Sequence, residues 1–236
     1  MKVLVIVPAY NEENNIVTTI DGLKKNKSID YVVINDGSLD NTKEVCEKNN
    51  INFIDLPLNL GIGGAVQIGY KYAFYHDYDI AIQFDGDNQH DPKYLDDLIK
   101  EIEKGYDIVI GSRYVKELSK FKSTFMRRVG INFLSFLIKA VTGKKVYDPT
   151  SGYRAVNKKV IELFAEDYPT DYPEPDSIIY LIKRGYKVSE IPVEMNERKE
   201  GKSSIGLFDS VYYMIKVSLC ILMSAKRGKK ERRKWI

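Results

Sequence analysis

Short apolar runs rich in Val and Ile alternate with helix-like segments through the first half of the chain. The runs are almost continuously apolar, which is typical of strands covered on both faces of a sheet. They occupy residues 2–9, 31–36, 51–56, 79–84 and 107–112, with helical spacing at 12–26, 40–50, 62–77 and 92–104. This alternation predicts an α/β fold with an open, mostly parallel sheet flanked by helices.

The second half of the chain has a less regular pattern. Residues 124–143 begin with arginines and continue with apolar residues at helical spacing, which predicts an amphipathic helix. Further elements are a polar turn at 148–155, a helix at 171–185, a strand at 186–195 and a charged loop at 196–204. We therefore expect residues 1–204 to form one domain.

A last helix is predicted at 205–224, and it begins a C-terminal unit that covers 205–236. Asp209 and Lys216 interrupt its apolar sequence, and a charge near the middle of a bilayer costs about 2.5–3.5 kcal/mol on insertion scales. Its apolar stripe comprises Leu207, Val211, Ile215, Leu219 and Leu222. We favour a helix that lies in the membrane interface, with a helix packed on a soluble domain and a true span as alternatives.

Charge is distributed unevenly along the chain. The last eleven residues hold seven Lys or Arg and one Glu, whereas the other 225 residues hold 29 basic and 32 acidic side chains. The basic tail suits an anionic membrane surface, and nucleic acid is the alternative from another functional class. Two distant cysteines, Cys46 and Cys220, indicate a reducing compartment. We expect a peripheral protein on the cytoplasmic face of the cell membrane.

Polar motifs follow the first three strands, where ligands bind in open α/β sheets. They are VPAYNEE after the first strand, INDGS after the second and a glycine-rich turn at 59–69. The glycine-rich turn is no P-loop, and Val66 replaces the third glycine of a dinucleotide fingerprint. Its backbone N–H groups would still approach phosphates. Capping or turn formation explains each motif equally well when it is taken alone.

The strongest candidate for chemistry is DGDNQHDP, at residues 85–92. Asp85 and Asp87 stand two positions apart at a strand end, so an extended backbone would point both side chains the same way. Carboxylate oxygens are hard ligands that suit Mg²⁺ or Mn²⁺, which also bind diphosphates. A solvated capping loop is the alternative. We assign His90 and Asp91 the simpler role of turning the chain into the next helix.

The ordered set of PAYNE, NDGS, the glycine turn, DGD and GSRY resembles the family-two glycosyltransferases with a GT-A fold, over residues 3 to about 200. The resemblance implies that Asp85 and Asp87 bind the diphosphate of a nucleotide sugar through a divalent metal. It places Asp36 near the base, although Asn35 replaces a second Asp of many relatives. The other implied nucleotide-sugar contacts are Pro8, Tyr10, Glu12, Gly61, Arg198, Lys202 and Ser203.

The downstream motifs GSRYV, RRVGIN and DPTSGYRA resemble the polyprenyl-phosphate branch, which includes the dolichyl-phosphate mannosyltransferases. In that branch, Gln89 would join the metal shell. The arginines implied to approach the acceptor phosphate are Arg113, Arg127 and Arg128. A Ser often follows the helix arginine by one turn, and this chain lacks it. The alternatives are that Arg113 pairs with a surface acid and that Arg127 and Arg128 lie on a solvated helix face.

Two acids, Glu174 and Asp176, stand where the resemblance places acids near the sugar. Acids at a helix N-terminus are also favoured by the helix dipole, which is the simpler explanation. For Arg198, Lys202 and Ser203, the simpler explanation is an exposed charged linker.

The implied function is an inverting, metal-dependent glycosyltransferase that moves a hexose from a nucleotide diphosphate sugar to a polyprenyl phosphate. A lipid phosphate is already an anion, so the site needs cations more than a strong base. The alternative is extension of a polysaccharide, with a sugar hydroxyl as acceptor and Glu174 or Asp176 as base. This function is compatible with a small membrane-protein partner or with a homo-oligomer. We expect no nucleic acid to bind.

Overall fold

The computed structural model describes residues 1–26, 28–115, 125–196, 216–219 and 221, without the side chains of 125–127. The strands are β1 (Val3–Ala9), β2 (Asp30–Asn35), β3 (Phe53–Asp55), β4 (Ile80–Gln83), β5 (Ile108–Ser112), β6 (Arg154–Asn157) and β7 (Val188–Pro192). The helices are α1 (Ile16–Leu23), α2 (Thr42–Lys48), α3 (Gly61–Tyr75), α4 (Leu95–Glu103), α5 (Phe125–Thr142), α6 (Lys158–Glu166) and α7 (Pro173–Lys183). A short 3₁₀ turn, Pro92–Tyr94, leads into α4.

The strands form one sheet in the order β3-β2-β1-β4-β6-β5-β7. All neighbouring pairs are parallel except those of β6, which runs antiparallel to both β4 and β5. The predicted α/β fold with a mostly parallel sheet is therefore confirmed. The carboxyl ends of the parallel strands share one edge, and β6 enters the sheet at that edge, where Arg154 pairs with Gln83.

The predicted C-terminal boundary of the polar turn at 148–155 is wrong, because residues 154 and 155 already belong to β6, which begins at Arg154. That strand has four residues and starts with a charged side chain, so it shows no apolar run. The helix α6 was also not predicted. Its N-terminus carries a recognisable signal, since the Asn157 side chain accepts a hydrogen bond from the Val160 N–H.

Two apolar layers cover the faces of the sheet. The layer with α3 and α6 includes Tyr70 and Phe164, and the opposite layer packs α1 and α4 against the same strands. Helix α3 lies very close to β1, because a Cβ at Gly69 would stand 2.2 Å from Cγ2 of Ile6. Glycine alone permits this approach. It brings the N-terminus of α3 to the edge where the strands end.

Most of the predicted C-terminal unit, 205–236, lies outside the described residues. Val217 and Ile221 are buried in the layer that contains α3, whereas Leu219 is 54% exposed. This part of the predicted last helix therefore packs on the domain, and one residue of its predicted apolar stripe faces outward. None of the helices in the described ranges combines the length and the apolar composition that a membrane span requires.

Candidate active site

The loops after β1 and β2 are joined by hydrogen bonds. Asn11 has a left-handed backbone and donates its N–H to Ser38 Oγ at 2.9 Å. The N–H of Asp36 donates to the carbonyl of Ala9, also at 2.9 Å. The structure therefore places Tyr10, Glu12 and Asp36 on two adjoining loops, with Pro8 at the end of β1 beside them; all four are predicted to contact the nucleotide sugar.

Tyr10 and Glu12 differ in accessibility. Tyr10 is 44% exposed, so its ring is available for stacking. Glu12 is buried, and its carboxylate accepts a hydrogen bond from the Asn15 side-chain amide at 2.8 Å. Its N–H donates to Thr42 Oγ1 at 2.9 Å, which ties the loop before α1 to the first residue of α2. Tyr10 thus has an exposed ring and Glu12 is bonded within its own loop, and the contacts predicted for both with a nucleotide sugar remain predictions.

The Asp36 carboxylate lies at the N-terminus of α3. It is buried, and its Oδ1 accepts a hydrogen bond from the Leu60 N–H at 2.7 Å. Burial raises the pKa of Asp36, although the N–H groups of Leu60 and Gly61 oppose this shift. The helix N-terminus therefore already holds an anion of the chain itself. The roles predicted for Asp36 at the base and Gly61 at a phosphate remain predictions.

Asp85 stands two residues beyond β4 with its carboxylate bounded on more than one side. Its side chain is 37% exposed. Gln83 Nε2 donates to its Oδ1 at 3.4 Å. A Cβ at Gly152 would come within 3.1 Å of both carboxylate oxygens, so the loop before β6 closes another side. The Asp85 carboxylate is thus partly enclosed and partly open to solvent at the sheet edge.

Asp87 and Gln89 belong to the same turn, because Asp87 Oδ1 accepts the Gln89 N–H at 3.1 Å. Within the described part of the chain, no group of three or more His, Cys, Asp and Glu residues is arranged to hold a metal ion. Two carboxylates and an amide oxygen still fit Mg²⁺ or Mn²⁺, because such ions usually keep waters and take substrate phosphates as further ligands. The donors at 85, 87 and 89 therefore suit an open metal site.

His90 has more contacts than its predicted role of turning the chain requires. It is 2% exposed, and its Nδ1 accepts the Asp85 N–H at 3.0 Å. Burial lowers the pKa of His90, despite the acids nearby. Asp91 does have the predicted role, since its Oδ1 accepts the Lys93 N–H at 3.0 Å and caps the turn before α4.

Arg113, just after β5, forms a buried ion pair with Asp148. Its Nε and Nη2 donate to the two carboxylate oxygens, both at 2.7 Å, and its N–H also donates to the carboxylate at 3.1 Å. Burial disfavours the charged form, yet Asp148 and, more weakly, Asp85 hold the pKa of Arg113 above its ordinary value. Arg113 therefore pairs with an acid, as the alternative held, although this acid is buried and not at the surface. Its contact with an acceptor phosphate remains a prediction.

The ring of Tyr114 contacts two arginines. The guanidinium carbon of Arg113 lies 5.4 Å from the ring centroid, and that of Arg128, from α5, lies 5.6 Å from it. Cation–π attraction at these distances holds both cations beside one aromatic ring. The structure therefore brings Arg113 and Arg128 together, and Tyr114 is a residue that the sequence did not single out.

A second buried arginine, Arg154, connects the loop before β6 with α7. Its guanidinium donates to the carbonyl of Ser151 at 3.1 Å, to the carbonyl of Glu174 at 3.2 Å and to Ser177 Oγ at 2.9 Å. These bonds fix the first turn of α7, which carries Glu174 and Asp176. Burial raises the pKa of the Glu174 carboxyl, and the charge of Arg154 opposes that shift.

Four of the predicted site residues cannot be placed. The side chain of Arg127 is not among those described, and Arg198, Lys202 and Ser203 lie outside the described ranges. Their predicted contacts with the acceptor phosphate and the nucleotide diphosphate therefore remain predictions.

The sequence matches the glycosyl transferase family 2 over residues 4–164. The UDP-N-acetylglucosamine--dolichyl-phosphate N-acetylglucosaminyltransferase of Methanococcus voltae is 31% identical, over 81% of this chain and 84% of the relative. The dolichol-phosphate mannosyltransferase of Pyrococcus furiosus is 33% identical, over 87% of this chain and 59% of the relative.

The fold is also found in solved structures. Glucosyl-3-phosphoglycerate synthase from Mycobacterium tuberculosis, in complex with Mn²⁺, UDP and phosphoglyceric acid, superimposes with a TM-score of 0.73 at 18% identity. The superposition covers 95% of this chain and 78% of the synthase. It supports the GT-A fold expected from the motifs. Because the sequence match runs from β1 into α6 and so spans more than half of the chain, this glycosyltransferase belongs to the glycosyl transferase family 2.

Proposed function

We propose that the chain transfers a hexose from a nucleoside diphosphate sugar to a polyprenyl phosphate, with a divalent metal at Asp85 and Asp87. The observation that carries this proposal is the meeting of acids and arginines at one sheet edge. Asp85 lies beside Gly152, in the loop whose Asp148 binds Arg113, and Arg128 shares the Tyr114 ring with Arg113. The names of two relatives specify dolichyl or dolichol phosphate, which supports a lipid phosphate acceptor.

The metal would be held by oxygen atoms of Asp85, Asp87 and Gln89. A bound Mg²⁺ or Mn²⁺ supplies Lewis acidity that stabilises the departing nucleoside diphosphate. The Mn²⁺ and UDP in the complex of the mycobacterial synthase support this assignment. The protein itself would orient the donor, through the Asp85 carboxylate and through the loops that carry Tyr10 and Asp36.

The acceptor side needs cations, which Arg113 and Arg128 would provide. A phosphate monoester is an anion near neutral pH, and guanidinium groups bind phosphate with strong, charge-assisted hydrogen bonds. An acceptor phosphate oxygen attacks the anomeric carbon and forms the new C–O bond. The bond from that carbon to the diphosphate oxygen breaks, and its electron pair leaves with the nucleoside diphosphate. A single displacement inverts the anomeric configuration and requires no general base.

The exposed apolar side of α5 would hold the site against the membrane. Val129, Phe133 and Phe136 recur at helical spacing and are 48%, 46% and 66% exposed. The opposite side of the helix is buried, with Leu134 and Ile138 in the core. Exposed aromatic rings beside Arg128 suit a layer of anionic headgroups over acyl chains.

Replacing Phe133 and Phe136 together by serine is expected to lower binding to vesicles of anionic lipid without unfolding the protein. The rings are exposed, so their loss removes membrane contact and little core packing. Sedimentation with vesicles measures this, with Phe74→Ser as the control, because Phe74 is 47% exposed near the end of α3. Equal vesicle binding by the double variant and the wild type would exclude α5 as the docking side.

The experiment that tests the function supplies the protein with polyprenyl phosphate, Mg²⁺ or Mn²⁺, and a panel of radiolabelled nucleotide sugars. We expect one sugar to enter the lipid fraction, and mild acid to release it, because a sugar phosphoryl lipid is acid-labile. A labelled product that resists mild acid would indicate a glycosidic bond, and therefore a sugar hydroxyl as acceptor. That result would contradict the proposal.

Replacing Arg128 by alanine is expected to raise the apparent KM for polyprenyl phosphate roughly tenfold or more, since hydrogen bonds to charged groups contribute about 1.5–3 kcal/mol. The KM for the nucleotide sugar should stay the same. Steady-state kinetics measure both constants. Lys139→Ala is the matched control, because it removes an exposed cation from the last turn of α5. An unchanged lipid KM in the Arg128 variant would remove Arg128 from the acceptor site.

A further inference from the structure

His90 directly follows the proposed metal ligands in sequence, yet it is buried and approaches Asp85 with both ring nitrogens. Its Nδ1 accepts the Asp85 N–H at 3.0 Å. An acceptor nitrogen carries no proton, so in the neutral ring the hydrogen is on Nε2. That Nε2 lies 3.5 Å from Asp85 Oδ2. The imidazole therefore lies against Asp85 on both sides: Nδ1 is taken up by the Asp85 N–H, and Nε2 stands beside the carboxylate at a distance longer than a hydrogen bond.

The imidazole ring of His90 is fixed by its neighbours. It stacks on Tyr153, with ring centroids 4.7 Å apart and an interplanar angle of 12°. Phe84 meets it edge-on, with centroids 5.3 Å apart and an angle of 85°. The backbone of His90 also pairs with Met195 in an antiparallel bridge. Because the ring has contacts on its face and its edge, and the backbone of the residue is held as well, the ring has little freedom to rotate.

Each carboxylate oxygen of Asp85 consequently has a nitrogen-bearing side chain beside it. His90 Nε2 lies near Oδ2, and Gln83 Nε2 donates to Oδ1 at 3.4 Å. A side chain at position 152 would press on the carboxylate, since a Cβ at Gly152 would lie 3.1 Å from both of its oxygens, so this glycine leaves the space that Asp85 occupies. Groups that orient a metal-binding side chain in this way commonly determine metal affinity although they do not touch the metal.

We infer that His90 is a positioning residue, which sets the orientation of the Asp85 carboxylate for the metal and the donor diphosphate. The inference rests on the proposed function, because it assumes that Asp85 binds a metal. It assigns His90 a contribution to metal affinity, and no direct contact with the sugar or the acceptor.

The test measures Mn²⁺ binding to the full-length protein from the electron paramagnetic resonance signal of free Mn²⁺, with UDP or GDP, whichever the wild type binds. His90→Phe keeps a ring that can stack on Tyr153 and removes both nitrogens. We expect it to weaken Mn²⁺ binding roughly tenfold or more. His90→Gln brings an amide N–H toward the former Nε2 position, and should recover part of the affinity. The same Mn²⁺ affinity in His90→Phe and the wild type would overturn the inference.

Tyr153→Phe is the matched control. It removes the hydrogen bond from Tyr153 Oη to the Asp91 carbonyl, at 3.1 Å, and keeps the ring stack. Its Mn²⁺ affinity should equal that of the wild type, and an equal loss in both variants would assign the effect to general destabilisation and overturn the inference.

If His90→Phe does not fold, His90→Gln and His90→Asn decide the question. Asparagine can accept the Asp85 N–H but places no donor near the carboxylate. Tighter Mn²⁺ binding by the Gln variant supports the inference, and equal binding overturns it. A wild-type protein that binds no Mn²⁺ with either nucleotide would overturn the proposed metal site itself, and this inference with it.

Discussion

Replacing Asp87 by asparagine is expected to lower turnover by roughly a hundredfold or more while the protein remains folded. Asparagine keeps an Oδ1 that can accept the Gln89 N–H, now 3.1 Å away, so the turn should persist. What is lost is one negative charge at the proposed metal site. A metal acting as a Lewis acid contributes several kcal/mol to a charged transition state, and each tenfold in rate corresponds to about 1.4 kcal/mol. Initial rates of lipid labelling over a series of Mn²⁺ concentrations measure the effect.

Asp91→Asn is the matched control for Asp87→Asn, because it removes an acid from the same loop. Asp91 Oδ1 accepts the Lys93 N–H, and asparagine can still do so. We expect this variant to retain wild-type turnover and an unchanged Mn²⁺ requirement. Full activity in Asp87→Asn, or an equal loss in both variants, would refute a metal-binding role that is particular to Asp87.

The parallel part of the fold could be predicted because its strands are apolar on both faces. The runs at 2–9 and 107–112 overlap β1 and β5 closely, since a buried parallel strand has no polar side to interrupt its pattern. The antiparallel strand β6 gives no such signal. It begins with Arg154, whose burial is made possible by carbonyl and hydroxyl acceptors on Ser151, Glu174 and Ser177. Those acceptors become its neighbours only through the tertiary fold.

The candidate site shows the same division between what the sequence predicts and what only the structure reveals. In a parallel sheet, motifs that follow separate strands lie at the same edge, so their proximity could be predicted from the sequence. The pairs that individual side chains form within those motifs could not be predicted. Arg113 and Asp148 are 35 positions apart, and their ion pair depends on how the loop before β6 packs. His90 is close to Asp85 in sequence, yet its role depends on the ring of Tyr153, which β6 brings beside it.

Replacing Asp148 by alanine is expected to destabilise the protein strongly. Asp148 is fully buried, and it accepts hydrogen bonds from the guanidinium and the backbone N–H of Arg113. Removing one partner of a buried ion pair costs about 3–5 kcal/mol, because the other charge remains buried without compensation. For a chain of this length, that cost corresponds to a fall in Tm on the order of 10 °C. Thermal unfolding followed by circular dichroism measures it.

A double variant separates the charge from the packing. Arg113→Met combined with Asp148→Leu removes both charges and fills the space with apolar side chains, so it should recover much of the lost stability. Asp97→Ala is the matched single control, because Asp97 is 59% exposed and its nearest oxygen lies 3.9 Å from the Lys100 ammonium. That variant should leave the Tm unchanged, since exposed pairs contribute little. If the double variant is as unstable as Asp148→Ala, the unpaired Arg113 is not the cause, and the loss lies in the packing of the loop before β6.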